Sequence, residues 1–413
     1  MSALVVVASV WADHTQQVRV SRYWDADEYF RVAEQIAAHK PVTAAAPYAY
    51  RVLTPWLVAR CCARDILHGF LAVNMAAAAA GSLLLAGWLG RFVEDWRVRV
   101  LVVAAYVFEW HGPVRFIYYY PVYVDPLFMV LLLAGLLSVE RVFADERWWD
   151  VVALTSVTLL GALAREAMVL VPLTAVLHRG AWERRGRGAI AAAMVLPIVA
   201  AVAALTLVRL GATPRGGFTW AAAAAEHLAT KPVFSLGLTW FITFGPILAV
   251  VLYDWHATAR FLVSHRHLAV FLLACTAAAY VGGHDTERYL FWSAPVVYVL
   301  IGRAIERHRA ALSSAALGAA LLIAQVLSER VLWPVPSPSN AVMSYGDLPP
   351  AARSYSILNR LFVIDDFHWN LWSNFGSRPF HLLLLALYLA FTAVVVVWMH
   401  RREHSGLLAG GTA

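Results

Sequence analysis

The chain is 413 residues long, with 61% hydrophobic and 14% charged residues, whereas soluble domains contain about 45–50% apolar and about 25% charged residues. This composition excludes a soluble globular enzyme and predicts an all-α polytopic membrane protein whose single domain covers residues 1–413. The net charge of +7 comes without a basic tract, and the arginines lie at the ends of apolar segments. We therefore expect membrane lipids as partners and no nucleic acid. Three cysteines, two of them adjacent, argue against a disulfide framework.

The apolar segments predict a bundle of about 11–12 transmembrane helices, each needing about 20 residues. The first segment, 3–11, is too short to span and has no basic flank, so a truncated or misassigned start and a partial helix are both open. Two long polar loops interrupt the pattern, 12–65 with amphipathic helices and 328–380. The predicted spans are 66–90, 100–110, 124–139, 151–164, 168–177, 189–210, 239–252, 268–281, 290–305, 311–327 and 381–399.

Sixteen arginines fall in alternate connections and in the C-terminal tail, whereas the other short connections carry few. An excess of arginine and lysine marks cytoplasmic loops, so both long loops are expected to face outward. The chain is thus expected to be a multi-pass protein of the bacterial inner membrane, with its active site facing the periplasm or exterior. Aromatic residues in the second loop suit either an acceptor site or the membrane interface.

An acidic cluster follows the first apolar segment. In a helix starting there, Asp25, Tyr29 and Ala33 share one face, and Asp27 lies about 160° away from Asp25. Only one of the two aspartates should therefore point at a site. The alternative is a solvated acidic first turn, which the helix dipole favours.

Three further polar clusters lie at predicted outward ends of spans, where ionisable residues are costly unless they serve a function. Arginines converging there with aspartates would combine an anion-binding half with a proton-accepting half. The alternatives are simple pairing of the arginines with nearby carboxylates and, for an aspartate followed by proline, an ordinary helix cap. The candidate residues in these clusters are Arg51, Asp125, Arg165, Glu166, His284, Asp285, Arg288 and Tyr289.

These clusters, in this order, resemble the GT-C superfamily of integral-membrane glycosyltransferases, in particular protein O-mannosyltransferases and lipid A aminoarabinose transferases. The pattern Asp25-x-x-x-Tyr29 is similar to the first-loop motif that carries the family's catalytic carboxylate, and 50–55 is similar to the proline-containing stretch after it. Asp125 matches the second acidic position of the pocket. The segment 161–166 resembles one that usually ends in lysine, where this chain has Arg165, and Arg288-Tyr289 resembles a late Arg-Tyr helix start. The family's common Asp-Glu pair is displaced here to 27–28.

The resemblance implies transfer of a sugar from a polyprenyl-phosphate-linked donor to a glycan, lipid or protein acceptor, with inversion. Asp25, with Asp27 in reserve, would take the acceptor's proton, and Arg165 and Arg288 would stabilise the departing phosphate. Asp125 would orient the sugar or hold the helix of the base. No cofactor is predicted; a divalent metal, used by some relatives, stays open, although no residue cluster has convincing ligand spacing.

Two other functions are compatible with the same polar residues. A transporter or flippase of a lipid-linked sugar would also need an intramembrane polar site, but the halves of the chain show no convincing repeat and the charges gather at one face. A membrane glycan polymerase or ligase would share the substrate class, and composition does not separate it from a transferase.

Overall fold

The computed structural model describes residues 2–15, 25–114, 117–118, 120–183, 188–283, 285–329 and 378–410. These residues are helical and contain no strand, apart from an isolated bridge between Ala45 and Arg215. The predicted all-α class is confirmed. Most of the second predicted loop, 328–380, lies outside the described residues.

The helices of the first half include one that begins at Asp25 and another that begins at Asp125. In order they are α1 (Ser2–Thr15), α2 (Asp25–Ala37), α3 (Leu53–Cys61), α4 (Ile66–Leu89), α5 (Trp96–Phe108), α6 (Asp125–Asp145), α7 (Trp148–Ala164), α8 (Leu170–Leu177), α9 (Arg179–Glu183) and α10 (Gly188–Gly211).

The helices of the second half are shorter, with one exception at the C-terminal end. In order they are α11 (Trp220–Thr230), α12 (Val233–Phe244), α13 (Leu248–Tyr253), α14 (Trp255–Ser264), α15 (Arg266–Val281), α16 (Thr286–Leu290), α17 (Ala294–Arg307), α18 (Arg309–Leu312), α19 (Ala315–Ser328) and α20 (Arg378–Gly410). Three 3-10 helices, Tyr48–Tyr50, Glu166–Val169 and Phe291–Ser293, complete the described structure.

Four helices are long and apolar enough to cross a membrane, judged by length and composition among the described residues: Ile66–Leu89, Asp125–Asp145, Gly188–Gly211 and His381–His404. The pair α14 and α15, bent by 109° at its break, would make a fifth. A helical membrane protein is therefore supported, and the larger count of 11–12 spans stays a prediction.

The centre of the bundle is α6, which packs against α4 on one side and α7 on the other. Small residues let these helices approach closely. An added Cβ at Gly161 would lie 2.4 Å from Met168, and one at Gly135 would lie 2.8 Å from Val171. The chain after α7 is thereby held against α6, close to the point where Asp125 begins that helix.

The predicted span 239–252 is wrong as one helix, because the chain breaks between α12 and α13. Gly245 has φ +76°, a left-handed conformation that glycine adopts readily. The Gln325 side chain from α19 fills the break: its Nε2 donates to the Phe244 carbonyl at 3.0 Å, and its Oε1 accepts from the Ile247 amide at 3.0 Å. These bonds replace backbone bonds that the interruption removes.

Helix α2 is amphipathic, as its spacing predicts. Asp25, Ala26, Tyr29, Val32 and Ala33 are buried on one face, which packs against α3, α4 and the 3-10 turn at 48–50. The first turn of α2 thus enters the bundle at the same end as the start of α6.

Candidate functional site

The site is a buried cluster of three arginines and three carboxylates where several helix ends meet. It gathers the start of α2, the turn after Tyr50, the start of α6, the junction after α7 and the short helix α16. Its ionisable members are Asp25, Arg51, Asp125, Arg165, Glu166 and Arg288.

Asp25 is held by two donors from distant parts of the chain. Its Oδ2 accepts a hydrogen bond from Arg288 Nη1 at 2.9 Å, and its Oδ1 accepts one from the Tyr120 hydroxyl at 3.1 Å. The Tyr120 oxygen in turn accepts from the Ala26 amide at 2.6 Å. Tyr120 therefore links the side chain of Asp25 to the first turn of its own helix, and the carboxylate is fixed in position.

The charged neighbours of Asp25 decide its ionisation. Burial alone raises the pKa of this carboxyl, but the Arg288 guanidinium and its hydrogen bond outweigh burial, so the pKa lies below its ordinary value of 3.8. Asp25 is therefore an ionised carboxylate at neutral pH. The neighbouring Tyr29 stays protonated, because burial raises its pKa to about 12.

Arg51 joins the first loop to the segment after α7. Its Nε and Nη2 donate to the two carboxylate oxygens of Glu166 at 2.9 and 2.7 Å, and its Nη1 donates to the Tyr29 hydroxyl at 2.9 Å. The Arg51 side chain is 2% exposed. This bidentate pair holds α2, through Tyr29, against the chain that carries Arg165.

Asp125 pairs with a fully buried arginine. Arg165 Nη1 donates to Asp125 Oδ2 at 2.5 Å, and Trp292 Nε1 donates to Asp125 Oδ1 at 3.0 Å. The N-cap of α6 is Val124, which makes no side-chain cap hydrogen bond. The side chain of Asp125 thus points into the site, and helix capping does not account for it.

Arg165 and Arg288 lie against the same aromatic ring. Their guanidinium carbons are 5.1 and 5.7 Å from the ring centroid of Tyr289, and that of Arg165 is also 4.6 Å from the Trp292 ring. Among the described residues, Nε and Nη2 of Arg165 and Nε of Arg288 are buried without a hydrogen-bond partner. Unpaired buried donors of this kind are costly, and they are suited to an anionic ligand.

The remaining predicted residues are placed differently. Asp27 lies away from the cluster, with its side chain 46% exposed and paired with Arg31 at 3.1 Å. Asp285 lies at the edge, 3.4 Å from Arg288. His284 lies outside the described residues.

Two direct partners of the site, Tyr120 and Trp292, were not among the predicted site residues. A weak signal for Tyr120 exists in the tyrosine-rich stretch before Asp125. Trp292 follows Arg288 by four residues, which places both on one side of a helical turn. Tyrosine and tryptophan are also common at membrane interfaces. Because the chain has many of both, the sequence alone does not distinguish Tyr120 and Trp292 from interfacial residues.

One described group of side chains could hold a metal ion, and it lies elsewhere. The ligand atoms of Glu140, His178 and His267 are within 4.8 Å of one another. The Nδ1 of His178, however, accepts a hydrogen bond from the Gly180 amide at 3.1 Å, which places the proton of a neutral ring on Nε2. Metal-bound histidines instead donate through their second nitrogen, so this hydrogen bond does not suit His178 as a metal ligand.

No protein-family model and no curated protein matches this chain. The function must therefore be inferred from the chemistry of the site itself.

Proposed function

We propose that the protein is an integral-membrane glycosyltransferase that moves a sugar from a polyprenyl-phosphate-linked donor to an acceptor hydroxyl, with inversion. The observation that supports this most is the junction of an ionised carboxylate, Asp25, with two arginines around Tyr289. This arrangement offers a proton acceptor beside an anion-binding surface, the two functions that glycosyl transfer from a phosphate requires.

In the proposed reaction, Asp25 acts as the general base. The acceptor hydroxyl gives its proton to Asp25 while its oxygen attacks the anomeric carbon. The bond from that carbon to the phosphate oxygen breaks, and its electron pair leaves with the polyprenyl phosphate. Attack and departure on opposite faces of the sugar invert the anomeric carbon. Tyr120 keeps the carboxylate oriented through its hydrogen bond at 3.1 Å.

The arginines stabilise the departing phosphate. Arg165 has two unpartnered donors, Nε and Nη2, besides the nitrogen that binds Asp125. A fork of this shape matches phosphate oxygens better than a lysine would. As Arg288 turns toward the phosphate, it leaves Asp25, whose pKa then rises, and proton uptake by the carboxylate becomes easier.

The topology forms part of the same proposal. The arginine-rich connections lie in the cytoplasm, and the Asp25 cluster faces the periplasm or exterior of a bacterial inner membrane. A donor with a polyprenyl tail suits such a site, since apolar helices surround it. The acceptor is a glycan, lipid or protein on that side.

The test is the release of polyprenyl phosphate by the purified chain, supplied with a panel of polyprenyl-phosphate sugars and with membrane extract as acceptor. We expect Asp25→Asn to lower the release rate by about 10²–10⁴-fold, the usual contribution of a positioned general base. Asp27→Asn is the matched control, because it removes the same charge from an exposed position two residues after Asp25. This variant should retain the wild-type rate within about twofold.

Two outcomes would overturn the proposal. If Asp25→Asn and wild type release polyprenyl phosphate at equal rates, Asp25 is not the general base, whatever the donor. If labelled lipid-linked sugar crosses proteoliposome membranes without any release of carrier phosphate, the protein is a flippase instead. Product size then separates single-sugar transfer from the joining of glycan chains by a polymerase or ligase.

A further inference from the structure

A second charged site lies in a cavity of about 500 Å³, lined by the turn after α4 and by residues of α6, α14 and α17. Four arginines line it, Arg91, Arg260, Arg303 and Arg307, together with the aromatic rings of Phe92 and Phe261. None of these residues belongs to the cluster around Asp25.

This cavity is at the opposite end of the bundle from Asp25. Helix α6 begins at Asp125, in the first site, and its residue Glu140 lines the cavity. Fifteen residues of α-helix separate them by about 22 Å. In the same way, α17 starts just after Trp292 and carries Arg303 and Arg307 near its C-terminal end. The two sites are therefore separate.

The positive charge of the cavity is only partly matched by carboxylates. Arg307 is paired with Asp254. Arg91, Arg260 and Arg303, by contrast, form no salt bridge with any carboxylate in the described part of the chain. The one carboxylate that lines the cavity, Glu140, accepts a hydrogen bond from His267 at 2.8 Å. Three arginines without a salt bridge around one concave surface are suited to an anion with several oxygens.

The wall of the cavity holds one arginine in place. Arg303 donates from Nη1 to the Phe92 carbonyl at 3.1 Å, and its guanidinium carbon lies 4.7 Å from the Phe261 ring centroid. The Phe92 and Phe261 rings meet edge to face at 5.8 Å. Arg303 is thus positioned before any ligand binds, and an apolar surface lies beside it.

The break between α14 and α15 places this cavity at the end of an apolar helix. The two helices meet at an angle of 109°. If α15 is the part of this pair that crosses the membrane, the bend turns α14 toward the membrane surface, and α14 carries both Arg260 and Phe261. Phospholipid headgroups lie at this level, and basic pockets between helices bind anionic ones.

We propose that this cavity binds the phosphate group of an anionic phospholipid, with the arginines on the phosphate and the phenylalanines beside the glycerol and acyl part. A soluble phosphate ester offers the same charged group without the apolar part. The lipid is therefore expected to bind more tightly than inorganic phosphate.

The test is thermal stabilisation of the full-length purified protein by three probes: short-chain phosphatidic acid, phosphatidylcholine of the same chain length, and inorganic phosphate. A ligand that binds only the folded state raises the melting temperature, and at a given ligand concentration the rise is larger when the Kd is lower. Arg91→Gln with Arg260→Gln removes two exposed arginines of the cavity. Arg141→Gln with Arg147→Gln is the matched control, because it removes the same charge from exposed positions outside the cavity.

We expect phosphatidic acid to stabilise the wild type and the control variant equally, and its affinity for the cavity variant to fall at least tenfold. Phosphatidylcholine should stabilise all three proteins to the same small extent. Equal affinities of phosphatidic acid for cavity and control variants would overturn the proposal, as would equal stabilisation by phosphatidylcholine. If inorganic phosphate binds as tightly as phosphatidic acid, and the cavity variant weakens both to the same extent, the cavity binds a free phosphate and the proposal of a phospholipid ligand is overturned. If the cavity variant has a lower melting temperature than the wild type without any probe, the single variant Arg260→Gln is used in its place. The same criteria apply to it.

Discussion

The pair formed by Arg51 and Glu166 should be the strongest electrostatic link between the first loop and the rest of the bundle. Two hydrogen bonds of 2.9 and 2.7 Å join residues that are 115 positions apart in sequence. A double-mutant cycle with Arg51→Met and Glu166→Gln measures this link, because each single change removes one partner and the double variant removes both.

The size of the effect follows from burial. Removing one partner of a buried ion pair costs about 3–5 kcal/mol, because the other charge is left uncompensated. Glu166 is 21% exposed, and glutamine keeps one acceptor oxygen, so we expect Glu166→Gln to cost about 2–3 kcal/mol. Arg51→Met also takes the partner from the Tyr29 hydroxyl and should cost about 3–4 kcal/mol. The double variant should lose at least about 1.5 kcal/mol less than the two single losses together.

The assay is reversible unfolding of the purified protein in mixed micelles, followed by tryptophan fluorescence. A control cycle uses Asp27→Asn and Arg31→Gln, an exposed i,i+4 pair at 3.1 Å with side chains 46% and 40% exposed. Its coupling should be about 0.3–0.5 kcal/mol. If the pair of Arg51 and Glu166 couples no more strongly than this exposed pair, it does not hold the loop, and the reasoning from burial is refuted.

Three further predictions concern single residues. Because the folded-state pKa of Asp25 lies below 3.8, its ionised form stabilises the fold above that pH and the contribution is lost as pH falls further; Asp25→Asn should flatten the dependence of melting temperature on pH in this acid range. Burial lowers the pKa of Lys231 from 10.5 to about 8, so the unfolded chain binds this proton more tightly. Stability should rise from pH 8 to 10.5, and Lys231→Met should abolish that rise. At Gly245, φ is +76° and an added Cβ would lie 2.3 Å from Gln325, so Gly245→Ala should cost about 2–4 kcal/mol in denaturant unfolding. Gly237→Ala, whose Cβ meets only an atom at 3.9 Å, should be neutral or stabilising; equal effects at the two glycines would contradict this explanation.

Features within one helix could be predicted from the sequence. The separation of Asp25 from Asp27 follows from helical periodicity, and the structure has one buried and the other exposed. Helix starts at 66 and 125 follow from the change between polar and apolar sequence. Such patterns depend only on neighbouring residues, which the sequence displays directly.

Features that join distant segments could not be predicted in the same way. The bond from Arg288 to Asp25 joins residues 263 positions apart, and several other carboxylates would have been equally suitable partners by charge alone. The break at Gly245 depends on a glutamine 80 positions later, which supplies the hydrogen bonds that the interrupted helix lacks. These pairings are decided by how helices pack, and the helical period contains no information about them.

The charges of the Asp25 cluster bear on how a phosphate-linked donor would react there. Three arginines face the carboxylates of Asp25, Asp125 and Glu166, with Asp285 at the edge, so an anionic donor adds negative charge that no further arginine of the cluster compensates. In the proposed reaction this excess is relieved when Asp25 takes the proton of the acceptor, because the carboxylate becomes neutral as Arg288 turns to the phosphate. Donor charge thus makes Asp25 a stronger base at the moment when a base is needed. Transport of the intact donor would gain nothing from such a coupling, which is why the pairing of Asp25 with Arg288 favours group transfer over flipping.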